Sequence, residues 1–195
     1  MEASLIQQFK DKVNSYYPVT EISFRELLAL VTIKNLKKNE VLVQQGSTAR
    51  EFCFLYSGYL RAYIGDENGR IYNKNIAVGG DFIASTVSCI LNQPSKFTLQ
   101  AITDCSLLQL PYKKFRALLF KTEDLKSLYI HYLEKNWVIE KEEREISIVM
   151  EDALVRYERL LKSSQHIEKY VPLQDIASHL GITPTQLSRI RKQLK

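Results

Sequence analysis

The sequence predicts an α+β protein: an antiparallel β jelly roll or barrel framed by helices, followed by an all-helical C-terminal segment. Three observations carry that prediction. Between Thr32 and Pro111, short runs of β-branched and aromatic residues alternate with turn signals, and no helical crossover separates them. After Pro111 the apolar residues recur at helical spacing instead. The last segment then bends at Gly181 between two short amphipathic stretches.

Taken in order, residues 1–30 are amphipathic. Leu5, Ile6, Phe9 and Val13 fall at helical spacing, Pro18 breaks the run, and Ser23 can cap a second turn before Leu27 and Leu28. Strands are predicted at Val41–Val43, Phe52–Tyr56, Tyr59–Ile64, Ile71–Val78, Phe97–Ala101 and Leu107–Leu110. The turns between them are marked by Lys38-Asn39, Gln45-Gly46, Ser57-Gly58, Asp66-Glu67-Asn68-Gly69 and Gly79-Gly80-Asp81. Lys113 to Lys121 gives one helix. Thr122 offers a cap for the next, with Glu123 and Asp124 placed where the helix dipole favours acids.

From Leu125 to about Met150 no Gly or Pro interrupts the chain. A seven-residue frame puts Leu125, Tyr132, Ile139 and Ile146 at one seam position, and Leu128, Lys135, Glu142 and Val149 at the other. At about 39 Å this helix exceeds what a small barrel needs. It therefore reads as a dimer helix through Leu125, Leu128, Tyr132, Ile139, Ile146 and Val149. Trp137 is expected between this helix and the barrel. Glu151 to Lys162 is amphipathic, and Ser163-Ser164-Gln165 ends it. The domains are thus expected at 1–120, 121–150 and 151–195.

Leu173 to Ile190 has the shape of a helix-turn-helix. Pro172 starts the first helix, Ala177 is small where the second must cross, and Gly181 supplies a left-handed turn residue. Ile176, Leu180, Ile182, Leu187 and Ile190 are spaced to share a core. Thr183 caps the second helix and Pro184 takes its first position. The outward side keeps Thr185, Gln186, Ser188, Arg189 and Lys192, which suit base edges in a major groove. Arg189 is the candidate for a bidentate guanine contact, and Arg191, Lys192 and Lys195 are candidates for phosphates. Gln174 and Thr183 complete the expected DNA-binding set. A winged hairpin, if any, would have to lie between Ser163 and Val171.

Charge placement agrees with that reading. The net charge is +5, with 27 Lys+Arg against 22 Asp+Glu. After Asp175 there are four basic residues and no acidic one. Other classes are disfavoured. No segment approaches the roughly 18–20 apolar residues of a membrane span, and no signal peptide is visible, so a cytoplasmic protein without a membrane partner is expected. Cys53, Cys89 and Cys105 are too few and too scattered for a disulfide framework or a metal site. With only His131, His166 and His179, no metal-binding His spacing exists, and His179 reads as a surface or packing residue. Residues 32–111 contain no His, which argues against an enzyme on a metal-dependent barrel.

This order of parts resembles the Crp–Fnr family of bacterial transcription regulators. The resemblance spans nearly the whole chain. It is carried by Ser57-Gly58-Tyr59-Leu60-Arg61, Gly80-Asp81-Phe82-Ile83, Pro111-Tyr112-Lys113-Lys114-Phe115 and Ile176 to Thr183. The ending Leu187-Ser188-Arg189-Ile190-Arg191-Lys192 looks like the branch common in Bacteroidetes. The resemblance implies a homodimer on palindromic double-stranded DNA, RNA polymerase as a further partner, and a cyclic-nucleotide-binding-like sensor barrel.

The ligand pocket departs from the family pattern. Where cyclic-nucleotide-binding members continue Gly-Asp-Phe-Ile with Gly-Glu, this chain has Ile83 followed by Ala84-Ser85. Their Arg-Ser phosphate pair aligns with Ser95-Lys96, and their Thr-Ser pair on the long helix with Glu140-Lys141. A carboxylate and a guanidinium fork are both lost, and a lone Lys cannot reproduce bidentate phosphate recognition. The expectation is a regulator without a cofactor, whose barrel does not bind cyclic AMP in the usual way and whose effector is unassigned. The alternative is a sensor module that binds a cyclic nucleotide or another anion. The iron–sulfur and heme branches are also disfavoured, because the chain has neither an N-terminal cysteine cluster nor a barrel histidine.

Overall fold

A computed structural model describes residues 2–65, 71–164 and 166–194. The chain runs α1 (Glu2–Asn14), α2 (Glu21–Leu28), β1 (Thr32–Leu36), β2 (Val41–Val43), β3 (Glu51–Ser57), β4 (Tyr59–Gly65), β5 (Ile71–Val78), β6 (Phe82–Ile83), α3 (Thr86–Leu91), β7 (Thr98–Ala101) and β8 (Cys105–Pro111). It continues with α4 (Tyr112–Lys121), α5 (Glu123–Leu133), a π-helical stretch (Glu134–Ile139), α6 (Glu140–Met150), α7 (Ala153–Ser163), α8 (Ile167–Tyr170), α9 (Leu173–Leu180) and α10 (Pro184–Gln193).

The strands form two antiparallel sheets, ordered β1-β8-β3-β6 and β2-β7-β4-β5. Together they make the expected jelly roll. Inward-facing Leu36, Leu55, Leu60, Ala62, Ala77, Leu99 and Leu107 fill the space between the sheets. The alternate residues of β3 and β8 are apolar too. Phe52, Phe54, Leu108 and Leu110 face outward and pack under α1, α2, α4 and α5. That double burial is why β3 and β8 read as apolar runs rather than as an alternating pattern. Phe52 stacks on Phe115 with centroids 5.3 Å apart. At Gly58 φ is +98°, and a Cβ there would lie 2.4 Å from the Asp104 carbonyl oxygen. Glycine is therefore required in the β3–β4 turn.

Several local expectations are corrected. β1, β6 and α3 carry little sequence signal: only Leu36 of β1 is buried, β6 is two residues long and α3 has only a six-residue run. The N-cap of α2 is Thr20, not Ser23. The Thr20 side chain accepts from the Ser23 N–H, and the Ser23 hydroxyl instead donates to Asp124 on α5 (2.8 Å). Thr122 does sit at the start of α5 but makes no side-chain cap bond. Between Ser163 and Val171 the described residues form the helical turn α8, not a winged hairpin. Asp66 to Gly69, read as a turn, lies outside the described residues.

The long helix is present but changes phase. Leu125, Leu128 and Tyr132 are buried in this chain's own core, against the barrel and the N-terminal helices. They are not free to form the outer seam assigned to them. The π-helical stretch widens the helix between Glu134 and Ile139, so a strict seven-residue frame cannot continue through it. From the end of that stretch onward Val138, Ile139, Ile146, Ile148, Val149 and Met150 are exposed, Val149 at 80%. Trp137 is only partly covered. Its indole N–H approaches the Tyr132 hydroxyl (3.4 Å), and the Lys74 ammonium sits over its ring.

Candidate nucleic-acid interface and its seat on the barrel

The C-terminal unit is built on a core of Tyr157, Ile167, Val171, Ile176, Ala177, Leu180 and Leu187. Ile176 and Ala177 are fully buried, as the close crossing of α9 and α10 demands. Gly181 has φ +71°, which turns the chain sharply, and the Ile182 N–H donates to the Ala177 carbonyl (3.0 Å). Thr183 and Gln186 form a reciprocal capping box, with Pro184 in the first turn of α10. Arg156 on α7 donates to the Leu180 carbonyl (3.2 Å), which ties α7 to the end of α9.

The expected DNA-facing residues separate into free and engaged groups. Thr185, Ser188, Arg189 and Lys192 are exposed on one stretch of α10, which carries no acidic residue. Gln174 is exposed in the first turn of α9. By contrast the Gln186 side-chain oxygen accepts from the Thr183 backbone (2.9 Å), so Gln186 and Thr183 spend polar groups on each other. Arg191 is half-buried, with Nε 2.6 Å from Glu168. Tyr157 donates to the same carboxylate, and burial together with Glu168 pushes that phenol up to about 12. Lys195, expected at a phosphate, lies outside the described residues.

A feature missed in the sequence is how this unit is seated. α9 lies along β5, the edge strand of its sheet. The Ser178 hydroxyl accepts from the Asn73 N–H and donates to the Ile71 carbonyl, both at 2.9 Å. It thereby satisfies an edge that would otherwise be open to pairing. Arg61 on β4 reaches Asp175 at 2.6 Å, and Asn73 Nδ2 donates to the same carboxylate oxygen at 3.0 Å. Arg61 also donates twice to Gln100 and stacks over Tyr63. Apolar contacts flank this network. Ile76 and Ile102 of the barrel enter the C-terminal core, and Tyr59 stacks on Tyr170 at 5.3 Å. His179 Nδ1 lies 3.4 Å from the Asn73 carbonyl oxygen. Burial, and then the nearby Arg144 charge, depress its pKa to about 4. It is a packing residue, as expected. None of these partners shares a sequence motif with the other, so only the fold brings them together.

Of the expected ligand-pocket residues, the structure brings Ser85 and Ser95 together. Ile83 belongs to the core between the sheets, and Ala84 packs toward the helices outside them. Ser85 and Ser95 are buried and hydrogen-bonded to each other at 2.8 Å. Lys96, Glu140 and Lys141 are exposed, and Lys141 pairs with Glu145 at 3.3 Å. The residue that does link the barrel to the long helix is Lys74, whose ammonium lies over the Phe97 and Trp137 rings. Burial, and then Arg144, hold its pKa below the usual lysine value. Cys53 and Cys89 are buried thiols, pushed up by burial to about 12 and about 11, and so are poor nucleophiles at neutral pH.

The fold and this site define a class, a β-roll sensor-type domain joined through a long helix to a helix-turn-helix. Residues 33–122 match the family described as Cyclic nucleotide-binding domain. That segment resembles a domain of this type, and the whole chain has the fold seen in Crp–Fnr-type regulators. FixK2 from Bradyrhizobium japonicum superposes with a TM-score of 0.70 at 17% identity, covering 84% of each chain. The c-di-GMP responsive global regulator CLP of Xanthomonas campestris gives 0.65 at 16% identity, covering 90% of this chain and 91% of its own. DNR from Pseudomonas aeruginosa gives 0.57 at 22% identity, covering 100% and 87%. No curated protein sequence matches the chain. No helix among the described residues is long and apolar enough to cross a membrane.

Proposed function

We propose that this chain is a DNA-binding transcriptional regulator that acts as a homodimer on palindromic operators and reads them with α10. The observation that carries the reading is the exposed, acid-free face of α10, where Thr185, Ser188, Arg189 and Lys192 stand free on a firmly capped helix. Such a helix fits a major groove, with Arg189 toward a guanine edge and Lys192 toward a phosphate. The exposed apolar residues from Val138 to Met150 supply the surface for a second copy. Fold similarity to FixK2 and CLP, the latter named as a global regulator, supports the same reading. RNA polymerase is a further partner proposed for a regulator of this kind.

The barrel in this reading does not take cyclic AMP in the usual way and needs no cofactor. Ser85 stands where a ribose-binding carboxylate would be required, and it is already buried against Ser95. An anion sensor is the competing reading, favoured by the match of residues 33–122 to cyclic nucleotide-binding domains. Selection of bound sequences from a random DNA pool, followed by band-shift titration, tests the main proposal. The expected result is a two-fold-symmetric site from which Arg189→Ala loses about 10- to 100-fold in affinity. Equal affinity for the variant, or no dependence on salt, overturns it. Calorimetry with cyclic AMP and cyclic GMP tests the barrel, and micromolar binding lost in Lys96→Ala favours the competing reading.

A further inference from the structure

A cleft of mixed polar and apolar lining opens between the outer face of the barrel and the seated helix-turn-helix. It has a volume of about 170 Å³, and its walls are drawn from β4, β7 and the β1–β2 turn on one side and α8–α9 on the other. A volume near 150 Å³ accommodates a six-membered ring, so there is room for an ion or a small metabolite. On the barrel side stand Lys38, Asn39, Arg61 and Gln100, and on the other Tyr170 and Gln174.

The lining is rich in donors. Arg61 spends three hydrogen bonds on Gln100 and Asp175, and a guanidinium carries five N–H donors, so among the described residues two remain. Its side chain is only 17% exposed, so those donors are held in place and partly desolvated. Lys38 adds an ammonium without an ion-pair partner among the described residues. Its backbone N–H is fixed on Asp104 (2.8 Å), which anchors the turn that carries it. The carboxylate in the lining, Asp175, is already committed to Arg61 and Asn73. Arg61 offsets Asp175, so the lining carries one net positive charge, from Lys38. With unspent N–H donors and amides around it, that charge favours a compact oxyanion. Tyr170 and Pro172 give the cleft an apolar flank for a carbon skeleton.

We propose that this cleft is a binding site for inorganic phosphate or a small phosphomonoester, separate from the interior of the barrel, and that an occupant bridges the barrel to the helix-turn-helix. A phosphate group held by Arg61 and Lys38 places its remaining oxygens within the same cleft as the Gln174 amide. Occupancy thereby adds a tie across the joint that Arg61 and Asp175 already close.

The test uses the full chain at fixed ionic strength, titrated with inorganic phosphate and, separately, with ribose 5-phosphate. Calorimetry gives affinity and backbone amide NMR gives location. The expected result is saturable binding with shifts at Lys38, Arg61, Tyr170 and Gln174. Lys38→Gln and Arg61→Lys are each expected to weaken binding by about 10-fold, the latter because it keeps the charge but loses the fork. Lys38 is exposed, so its variant keeps the fold. Tighter binding of ribose 5-phosphate assigns the site to phosphomonoesters, and equal affinity assigns it to the free ion. No saturation by roughly 10 mM, shifts confined to α10 or to Ser85 and Ser95, or indifference to both variants overturns the proposal. No DNA is present, so failure of the DNA-binding reading leaves this outcome unaffected.

Discussion

Arg61 on β4 and Asp175 on α9 meet at 2.6 Å, both largely buried, and join the barrel to the first helix of the helix-turn-helix. The pair does not stand alone, since Gln100 steadies the guanidinium and Asn73 shares the carboxylate. Removing one partner of a buried ion pair strands the other, at a cost of about 3 kcal/mol or more. Arg61→Ala is therefore expected to loosen α9 from β5 while leaving the interior of the barrel intact. Hydrogen exchange checks this: protection should fall at Asn73 and along α9 but persist at Leu60 and Leu99. Uniform loss of protection, or none, would refute the assignment.

The His179 environment sets a pH dependence. Its folded pKa, depressed to about 4, lies below the ordinary value of 6.5. Between those values the unfolded chain binds a proton that the folded chain does not, so stability falls as acid is added. The contribution is fully present above about pH 6.5, declines as pH drops, and has gone below about pH 4. At most about 3 kcal/mol is involved. Denaturant titrations across this range should show a shallower pH slope for His179→Gln than for the parent chain.

Leu125 and Val149 share a helical segment but face different tasks. Leu125 is fully buried in the chain's own core, whereas Val149 is 80% exposed. Leu125→Ala is expected to cost about 2–5 kcal/mol of folding stability. Val149→Asp should leave unfolding of the monomer unchanged within about 0.5 kcal/mol yet shift sedimentation toward the monomer. A folded dimer that ignores Val149→Asp would place the self-association surface elsewhere.

Arg191 and Lys192 are adjacent basic residues with unequal freedom. Lys192 is exposed, while Arg191 is held by Glu168 at 2.6 Å. Filter binding over a range of salt should show that Lys192→Ala lowers the salt slope by about 1. Arg191→Ala is expected to leave that slope unchanged and to lower thermal stability instead.

The local rules were readable wherever a residue's role depends on its immediate neighbours. Gly181, Thr183 and Pro184 mark the turn and the second helix because a left-handed turn, a hydroxyl cap and a missing N–H each have one favoured place. The strand runs were legible for the same reason. The long helix was readable as a helix, but its seam was not. A frame laid on sequence assumes constant pitch, and the π-helical stretch at Glu134–Ile139 breaks that assumption while the barrel claims Leu125, Leu128 and Tyr132. Likewise the exposed side of α10 was predictable, and the Thr183-x-x-Gln186 spacing carries the local signal of a capping box; that Arg191 would turn to Glu168 was not written locally.

By itself the sequence determined the order of parts: an antiparallel roll, a long helix and a capped helix-turn-helix with a basic end. Periodicity, turn chemistry and capping act over a few residues, so they are written locally. Only the tertiary structure decided where the reading helices sit. Arg61 and Asp175 are separated by 114 positions, Asn73 and Ser178 by 105. Their pairing depends on β5 being an edge strand with unmet backbone groups, and on α9 presenting a hydroxyl and a carboxylate to it. No periodicity encodes such a meeting, because it arises from how two independently patterned surfaces pack.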